Sequence, residues 1–547
     1  MPNIQLQSMF LEQVEPSDVI SSLKKLKPKS SSGHDGFSTK ILKDTIENII
    51  EPITYIINQS FNKGIFPDEM KIAKVIPIYK TTEKNLFKNY RPVSLLPAFS
   101  KLLEKLMYTK LMAFLTKNNI LYKHQYGFRP KHCTVHPIMH LLSQCANASS
   151  KPKQEFTLAV LCDLSKAFDV INHEILLEKL NIYGIRGIVN DWFKSYLSER
   201  SQFVEIDNIK SEKLSIKCGV PQGSILGPLL YLIYVNDIGR SAKANILSFA
   251  DDTTLYLSGS DLNKLYDDAN KQINNLFEWF CSNKLSLNAK KTKYIVIRPK
   301  YLRGDLGKFT ICINEVALDR IGNDCKEKSV KFLGINLDEN LTWKYHIIQV
   351  NNKVSRALFS IKQVKHFLPM ECLKTLYYSL INSHFTYGIL AWGNADKTTL
   401  KRSIMLQKSA IRVINRKSYN SHTDPLFKTS NILKIRDLFE YLSIIFMFDY
   451  LHNSLPTSFE KMFLRNSELP NARCTRQSNL FNIPRSESYF ASKLPQFVLP
   501  NLWNKWAKSF DNDIKRSRLK KLIKRSILDS YLPQVTCNYT KCIDCTS

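Results

Sequence analysis

The stretch "ILSFADDTTLYLS", residues 246–258, decides the fold of the middle of this chain. Apolar and β-branched residues on both sides of a short polar turn predict a strand, a tight turn and a second strand. Asp251 and Asp252 stand together at that turn, where adjacent acids are usually only turn residues. Because the flanking strands are apolar, we expect both carboxylates to be buried and to need a compensating divalent cation.

A third carboxylate follows another apolar strand, "FTLAVLC", residues 156–162. This carboxylate, Asp163, can lie beside the hairpin if the two strands are neighbours in one sheet. Magnesium prefers oxygen ligands and is commonly shared between a few carboxylates and substrate phosphates. Three carboxylates around two ions about 4 Å apart suit an in-line nucleotidyl transfer.

The charge of the chain favours a polyanionic partner. Its 547 residues include 78 Lys and Arg against 48 Asp and Glu, a formal net charge of +30. An excess of this size indicates nucleic acid first, while a generally basic protein or a membrane-surface binder stays open.

Cysteine usage and apolar runs bear on the compartment. The 12 cysteines are mostly scattered singly, and runs such as "LGPLLYLIYV" are half the length that crosses a bilayer. The N-terminal stretch has no apolar signal core. We therefore expect an intracellular protein of the nucleus and cytoplasm, neither secreted nor membrane-inserted. Near the end, Cys537, Cys542 and Cys545 lack a fourth ligand close by, so a zinc site there is not established.

The remaining pattern predicts an α+β fold with a mainly helical C-terminal region. "AKVIPIYK" and "IVIRP" read as strands, "VKFLGINLDENLTW" as a hairpin, and "CGVPQGSILGPLLYLIYV" as a turn entering an apolar helix. Helical patterns dominate from about residue 345. In residues 514–528 one helical face is apolar, with Leu519, Leu522, Ile523 and Ile527, and seven basic residues cover the others. That helix either faces phosphate or is simply solvated.

Several motifs occur in a fixed order: "GHDGFSTKILK", "NYRPVSLLPAFSKLLEKL", "QYGFRP", "DLSKAFDVINH", "PQGSILGP", "FADDT", "NAKKTKYIVI" and "KFLGINL". This series resembles the reverse transcriptases of non-LTR retrotransposons, the LINE-like elements of the Jockey and CR1 kind. The resemblance implies a right-hand polymerase. Its parts would be an N-terminal extension and fingers in residues 1–155, a palm in 156–344, a helical thumb in 345–450 and a basic helical region in 451–547.

The resemblance also implies roles for individual residues. Asp163, Asp251 and Asp252 would bind two Mg²⁺ ions, with Mn²⁺ as a possible substitute. Phe168 stands where the family has its steric gate, an aromatic ring that excludes a ribose 2′-hydroxyl. For Phe168 the alternative is a core aromatic. Asp169 would fix the local turn.

Further implied contacts concern the substrates. The incoming deoxynucleotide (dNTP) would be bound by Lys80, Arg91, Phe168, Gln222, Gly223 and Lys291. Lys290 and Lys293 are as plausible as Lys291 by their chemistry. Phe332, Leu333 and Gly334 would form the primer grip. For Gly223 the alternative is a structural turn glycine, and for Lys80 and Arg91 it is a plain surface cation.

The function implied is an RNA-directed DNA polymerase that adds deoxynucleotides to a primer. Its partners would be an RNA template, a DNA primer, the RNA–DNA hybrid and dNTPs. The fingers motifs begin close to the N-terminus, so we expect a chain without the family's endonuclease domain. The alternatives are a catalytically silent retroelement remnant that only binds RNA or RNA–DNA hybrid, and an intron-type maturase.

Overall fold

A computed structural model describes residues 7–80, 83–469, 478–483, 488–510 and 514–531. Cys537, Cys542 and Cys545, where a zinc site was considered, lie outside these residues. The α-helices of the described ranges are α1 Pro16–Lys25, α2 Thr39–Lys63, α3 Ala98–Lys117, α4 Val135–Ser149, α5 His173–Ile182, α6 Ile188–Leu197, α7 Gly227–Tyr234, α8 Leu262–Ser282, α9 Lys344–Val364, α10 Met370–Tyr377, α11 Ser383–Thr386, α12 Ile389–Trp392, α13 Lys397–Ile414, α14 Asp424–Ser430, α15 Ile435–Leu451, α16 Tyr489–Ser492, α17 Pro495–Trp506 and α18 Arg516–Asp529.

The strands are shorter and lie mostly before residue 340. They are β1 Ile72–Tyr79, β2 Tyr90–Leu95, β3 Phe156–Cys162, β4 Leu164–Ser165, β5 Ser201–Ile206, β6 Ile209–Lys210, β7 Leu214–Ser215, β8 Asn245–Phe249, β9 Asp252–Gly259, β10 Ser286–Leu287, β11 Lys293–Ile297, β12 Cys312–Ile313, β13 Val316–Ala317, β14 Asp319–Ile321, β15 Val330–Phe332 and β16 Ile335–Leu337. The predicted mixture of helices and strands is confirmed, as are the strand–turn–strand at residues 246–258 and the helical pattern after residue 345.

The contacts of the chain divide it into two compact units. The first unit comprises Met1–Phe128, Asp163–Thr253 and Gln272–Asn288; the second comprises Arg129–Cys162, Thr254–Lys271 and Ala289–Ser547. The chain passes between these units five times. The four-part division into fingers, palm, thumb and C-terminal region stays a prediction.

The first unit contains a sheet in the order β2–β1–β5–β6, with β7 also paired to β5. β1 and β2 are antiparallel, whereas β1 and β5 are parallel. An aromatic cluster forms part of the core: the Trp192 ring stacks on Tyr196 and meets Phe61 and Phe66 edge-on. Such rings bury a large apolar area each, so this cluster contributes strongly to the stability of the unit.

The second unit contains four neighbouring strands in the order β14–β11–β3–β9 and the β15–β16 hairpin. Its C-terminal part is helical. In α18, Leu519, Ile523 and Ile527 are buried and Leu522 is half-buried, so the predicted one-sided apolar face is confirmed. Arg516 of this helix binds both carboxylate oxygens of Asp449, each at 2.6 Å.

A search of the described residues found no helix that combines the length and apolar character needed to span a bilayer.

Candidate active site

The course of two neighbouring strands brings Asp163 and Asp252 together. β3 and β9 are adjacent in the sheet, and the hydroxyls of Thr157 and Ser258 are 3.0 Å apart. Thr157 lies near the start of β3 and Ser258 near the end of β9, so the two strands are antiparallel. In an antiparallel pair the end of one strand lies beside the start of the other, so Asp163, which directly follows β3, lies at the same end of the pair as Asp252, the first residue of β9.

The turn before β9 presents Asp251 next to this pair. Ala250 occupies the left-handed region with φ 57°, which is uncommon for a residue other than glycine. Asp251 and Asp252 are both exposed and Asp163 is half-buried. The expectation that the two adjacent carboxylates are buried is therefore wrong: the strands beside them are buried, but the turn directs both side chains to solvent.

The three carboxylates differ from a closed metal cage. Within the described ranges, no group of three or more His, Cys, Asp or Glu side chains is arranged to hold a metal ion by itself. Magnesium is usually bound by one or two protein carboxylates together with waters and substrate phosphates. The residues therefore fit a site that the substrate completes.

Two aromatic rings, Phe168 and Tyr231, contact each other in the same unit as the carboxylates. The Phe168 ring centroid is 4.7 Å from that of Tyr231, which lies on α7 and is 1% exposed. Burial, and then the negative charges of Asp251 and Asp252, raise the pKa of the Tyr231 hydroxyl. The charges of both acids therefore act on the Tyr231 hydroxyl, and the Tyr231 ring contacts Phe168.

The loop after β3 is bonded to the "PQGS" turn. Gln222 donates its side-chain amide to a carboxylate oxygen of Asp169 at 2.7 Å, and Val220 donates its N–H to the Phe168 carbonyl at 3.0 Å. Asp169 thus fixes the turn that carries Gln222. Gly223 has φ 129°, and a Cβ there would lie 2.5 Å from the Ser94 carbonyl oxygen. The close approach seen at Gly223 is therefore to β2, and its contact with a nucleotide stays a prediction.

Glu104, on α3, was not identified from the sequence. Its carboxylate is fully buried and accepts N–H bonds from Ile225 at 2.6 Å and Leu226 at 3.2 Å, just before α7 begins. Burial raises its pKa, opposed by the charge of Arg200 and by these two bonds. A carboxylate at a helix N-terminus is electrostatically favourable. Glu104 therefore orients the segment between Gly223 and Tyr231.

The turn that carries Asp251 has its own clamp, also missed. Gln125 is 4% exposed, and its side-chain carbonyl accepts the N–H groups of Gly127 at 2.8 Å and Ala250 at 3.1 Å. A Cβ added at Gly127 would collide with the backbone nitrogen of Ala250. The glycine in "QYGF" was the available signal, because close approach of two backbone segments favours glycine.

Two predicted triphosphate ligands share one hairpin of the first unit. Lys80 directly follows β1 and is exposed; its N–H donates to Asn89 at 2.8 Å, which extends the β1–β2 ladder. Arg91 is exposed and pairs with Ile78 across the ladder. Residues two apart on a strand point to the same face. The Lys80 and Arg91 side chains therefore lie on one face of this hairpin.

The other predicted residues belong to the second unit. Lys291 is exposed in the turn before β11, whereas Lys293 forms an ion pair with Glu327 and so is less suited to bind pyrophosphate. Among the predicted primer-grip residues, Phe332 is buried at 5%, while Leu333 and Gly334 form the turn between β15 and β16. Tyr387 donates its hydroxyl to the Leu333 carbonyl at 2.6 Å.

Comparison with known proteins identifies a domain in the middle of the chain. Residues 78–337 match the family described as reverse transcriptase (RNA-dependent DNA polymerase). This range includes the "PQGS" turn and the three candidate carboxylates, Asp163, Asp251 and Asp252. The chain contains a reverse transcriptase domain.

Proteins similar to this chain occur in Drosophila melanogaster. It is 28% identical over 450 residues to the "Probable RNA-directed DNA polymerase from transposon BS", covering 79% of this chain and 48% of that protein. It is 25% identical over 470 residues to the "RNA-directed DNA polymerase from mobile element jockey", covering 80% of this chain and 48% of that protein. A third match, to the X-element protein, is 26% identical and covers 74% and 44%.

These matches confirm the resemblance that the ordered motifs indicated. The chain spans about half the length of the curated relatives that it matches.

Proposed function

We propose that this protein is an RNA-directed DNA polymerase with a right-hand arrangement of fingers, palm and thumb. The proposal is supported by the positions of Asp163, directly after β3, and of Asp251 and Asp252, at the start of the neighbouring β9, inside the region that matches the reverse transcriptase family. The substrates would be an RNA template, a DNA primer and dNTPs, and the product an RNA–DNA hybrid.

The carboxylates would hold two Mg²⁺ ions, or Mn²⁺ in their place. When bound, such ions lower the pKa of the attacking primer hydroxyl and stabilise the charge on the leaving pyrophosphate. Because Asp251 and Asp252 are exposed, a triphosphate has free access to them. Asp163, directly after β3, and Asp252, at the start of the neighbouring β9, would both bind the metal.

The fingers hairpin would hold the triphosphate. Lys80 supplies a point charge and Arg91 a planar fork that can bind two phosphate oxygens at once. Both lie on the same face of the β1–β2 ladder, so they can contact one triphosphate together. Lys291, an exposed cation, is proposed separately to contact the pyrophosphate.

Phe168 would act as the steric gate and Gln222 would position the base. The Phe168 ring is supported by the buried Tyr231, so it cannot retreat in that direction. Gln222 is already oriented by Asp169, which reduces the cost of ordering it when a nucleotide binds.

The test is primer extension on an RNA template with the purified full chain, Mg²⁺ and dNTPs. We expect Asp251→Asn and Asp163→Asn to lower extension by at least about 100-fold, because the charge that holds the metal is removed. Asp207→Asn, at an exposed turn of the first unit, is the matched control. Extension retained in Asp251→Asn would contradict the assignment of the site. If the unsubstituted protein binds RNA–DNA hybrid but never extends a primer, the silent-remnant alternative is favoured.

A further inference from the structure

Phe128, in the first unit, has an unusual combination of exposure and backbone conformation. Its side chain is 46% exposed, although it is a large apolar ring. Its φ is 54°, in the left-handed region that bulky residues rarely occupy. Such a conformation persists only where the surroundings fix it, and functional sites are where it is commonly found.

The residues before Phe128 hold its backbone in this conformation. Tyr126 donates its N–H to the Ser248 carbonyl at 2.8 Å, and Gln125 forms a parallel bridge with Ser248. Gly127 then packs directly on Ala250. Phe128 therefore directly follows a segment that is hydrogen-bonded to β8, and it lies next to the turn that carries Asp251.

The ring of Phe128 faces the predicted gate residue. Its centroid is 5.8 Å from that of Phe168, and the two planes are nearly perpendicular at 82°. On another side, Phe168 contacts Tyr231, which is buried. Of these two aromatic neighbours, Phe128 is the one exposed enough to touch a ligand.

We propose that Phe128 is a specificity-determining residue, the second wall of the site that receives the sugar of the incoming deoxynucleotide. This inference rests on the proposed polymerase function. Two perpendicular rings form an apolar corner. A 2′-hydroxyl placed in that corner would lose its water and find no hydrogen-bond partner on either ring, which is unfavourable. Phe128 also restrains Phe168 from turning away from the sugar.

The experiment measures single-nucleotide incorporation of dNTP and of the matching ribonucleotide (rNTP) by the full chain on a primed RNA template. Selectivity is the ratio of kcat/KM for dNTP to that for rNTP. We expect Phe128→Ala to lower selectivity by about 3- to 10-fold, the size of one aromatic pair contact. Phe128→Tyr, which keeps the ring, should stay closer to the unsubstituted protein than Phe128→Ala. Phe367→Ala, at an exposed phenylalanine of the second unit, is the control.

A double substitution separates a shared gate from two independent effects. In a Phe168→Ala background, Phe128→Ala should change selectivity much less than it does alone, because its ring partner is gone. If Phe128→Ala does not fold, as judged by thermal melting, Phe128→Leu tests the same loss of the ring with most of the apolar volume kept.

Active Phe128→Ala protein with selectivity within twofold of the unsubstituted protein would overturn the role of Phe128 and leave the polymerase assignment intact. Strict additivity of the two substitutions would also overturn it. Absence of any extension by the unsubstituted protein would instead refute the proposed function, and the gate with it.

Discussion

Two turns of this chain share a design, one in each unit. In the first, at residues 249–252, Ala250 has φ 57°; in the second, at residues 332–335, Leu333 has φ 45°. Each turn is bonded by a side chain distant in sequence, Gln125 in the first and Tyr387 in the second. In each, a glycine permits the close approach.

The two clamps differ in exposure and chemistry. Gln125 is buried at 4% and accepts two backbone N–H groups, whereas Tyr387 is 40% exposed and its hydroxyl contacts the Leu333 carbonyl and the Thr134 hydroxyl. Because the hydrogen bonds of Gln125 are buried, water competes with them less than it does with those of the exposed Tyr387 hydroxyl. The turn that carries the candidate catalytic acids is therefore held more rigidly than the turn assigned to the primer.

The largest effect should come from breaking the first clamp. Gly127→Ala would push a methyl group into the backbone of Ala250 and displace the turn that carries Asp251. We expect primer extension to fall by about 100-fold, since a shift of about 1 Å at reacting groups has that cost. The free energy of unfolding should fall by about 1–3 kcal/mol.

The control for this substitution is Gly259→Ala, at the end of β9. A Cβ there would meet Leu265 at 3.6 Å, an ordinary contact. Urea unfolding and single-turnover extension measure the two quantities. Equal activity of the two variants would mean that the packing of Gly127 on Ala250 does not set the position of the acids.

Lowering the pH should have an intermediate effect, a loss of stability at the second turn. His346 is 3% exposed, and its Nδ1 accepts the Asn336 N–H of β16 at 3.4 Å. Burial, and then Lys353, lower the pKa of His346 to about 4. The unfolded chain, with a histidine pKa of about 6.5, binds the proton first as pH falls. Stability is therefore fully present above about pH 6.5 and declines between about pH 6.5 and 4.

We expect this histidine to account for about 1–2 kcal/mol of that decline. His124 and His136 also have a pKa lowered to about 4, so the unsubstituted protein sums several contributions. Urea unfolding at pH 7 and pH 4.5, compared between the unsubstituted protein and His346→Gln, isolates the contribution of His346. An identical loss of stability in both proteins would show that His346 does not couple the hairpin to pH.

The smallest effect should come from Tyr387→Phe. The ring remains against Gly334, and the contacts of the hydroxyl with the Leu333 carbonyl and the Thr134 hydroxyl are lost. We expect a loss of about 0.5–1.5 kcal/mol in the stability of the second unit. Primer–template affinity, measured by fluorescence anisotropy, should weaken by about 2- to 5-fold while kcat stays nearly constant. A large fall in kcat would place Tyr387 closer to the chemistry than the comparison suggests.

Local pattern predicted the elements better than it predicted the contacts. The strands around Asp251, the helix that follows "PQGS" and the one-sided α18 were all recognisable, because each depends on spacing within about ten residues. The burial of Asp251 and Asp252 was mispredicted, since a turn can expose residues whose neighbours are buried. Nothing in the local sequence marks Gln125, Glu104 or Tyr387 as clamps. Their partners lie 125, 121 and 54 residues away, and only the folded topology brings them together.

Because the chain passes five times between its two units, shortening or splitting it affects them in different ways. No single cut separates the segments of one unit from those of the other, because residues 129–162 and 254–271 of the second unit alternate with segments of the first. A deletion within residues 1–128 removes parts of the first unit only, and one within residues 289–547 removes parts of the second unit only. A chain break anywhere between residues 130 and 287 instead divides both units at once, so expression trials with split chains should avoid that interval.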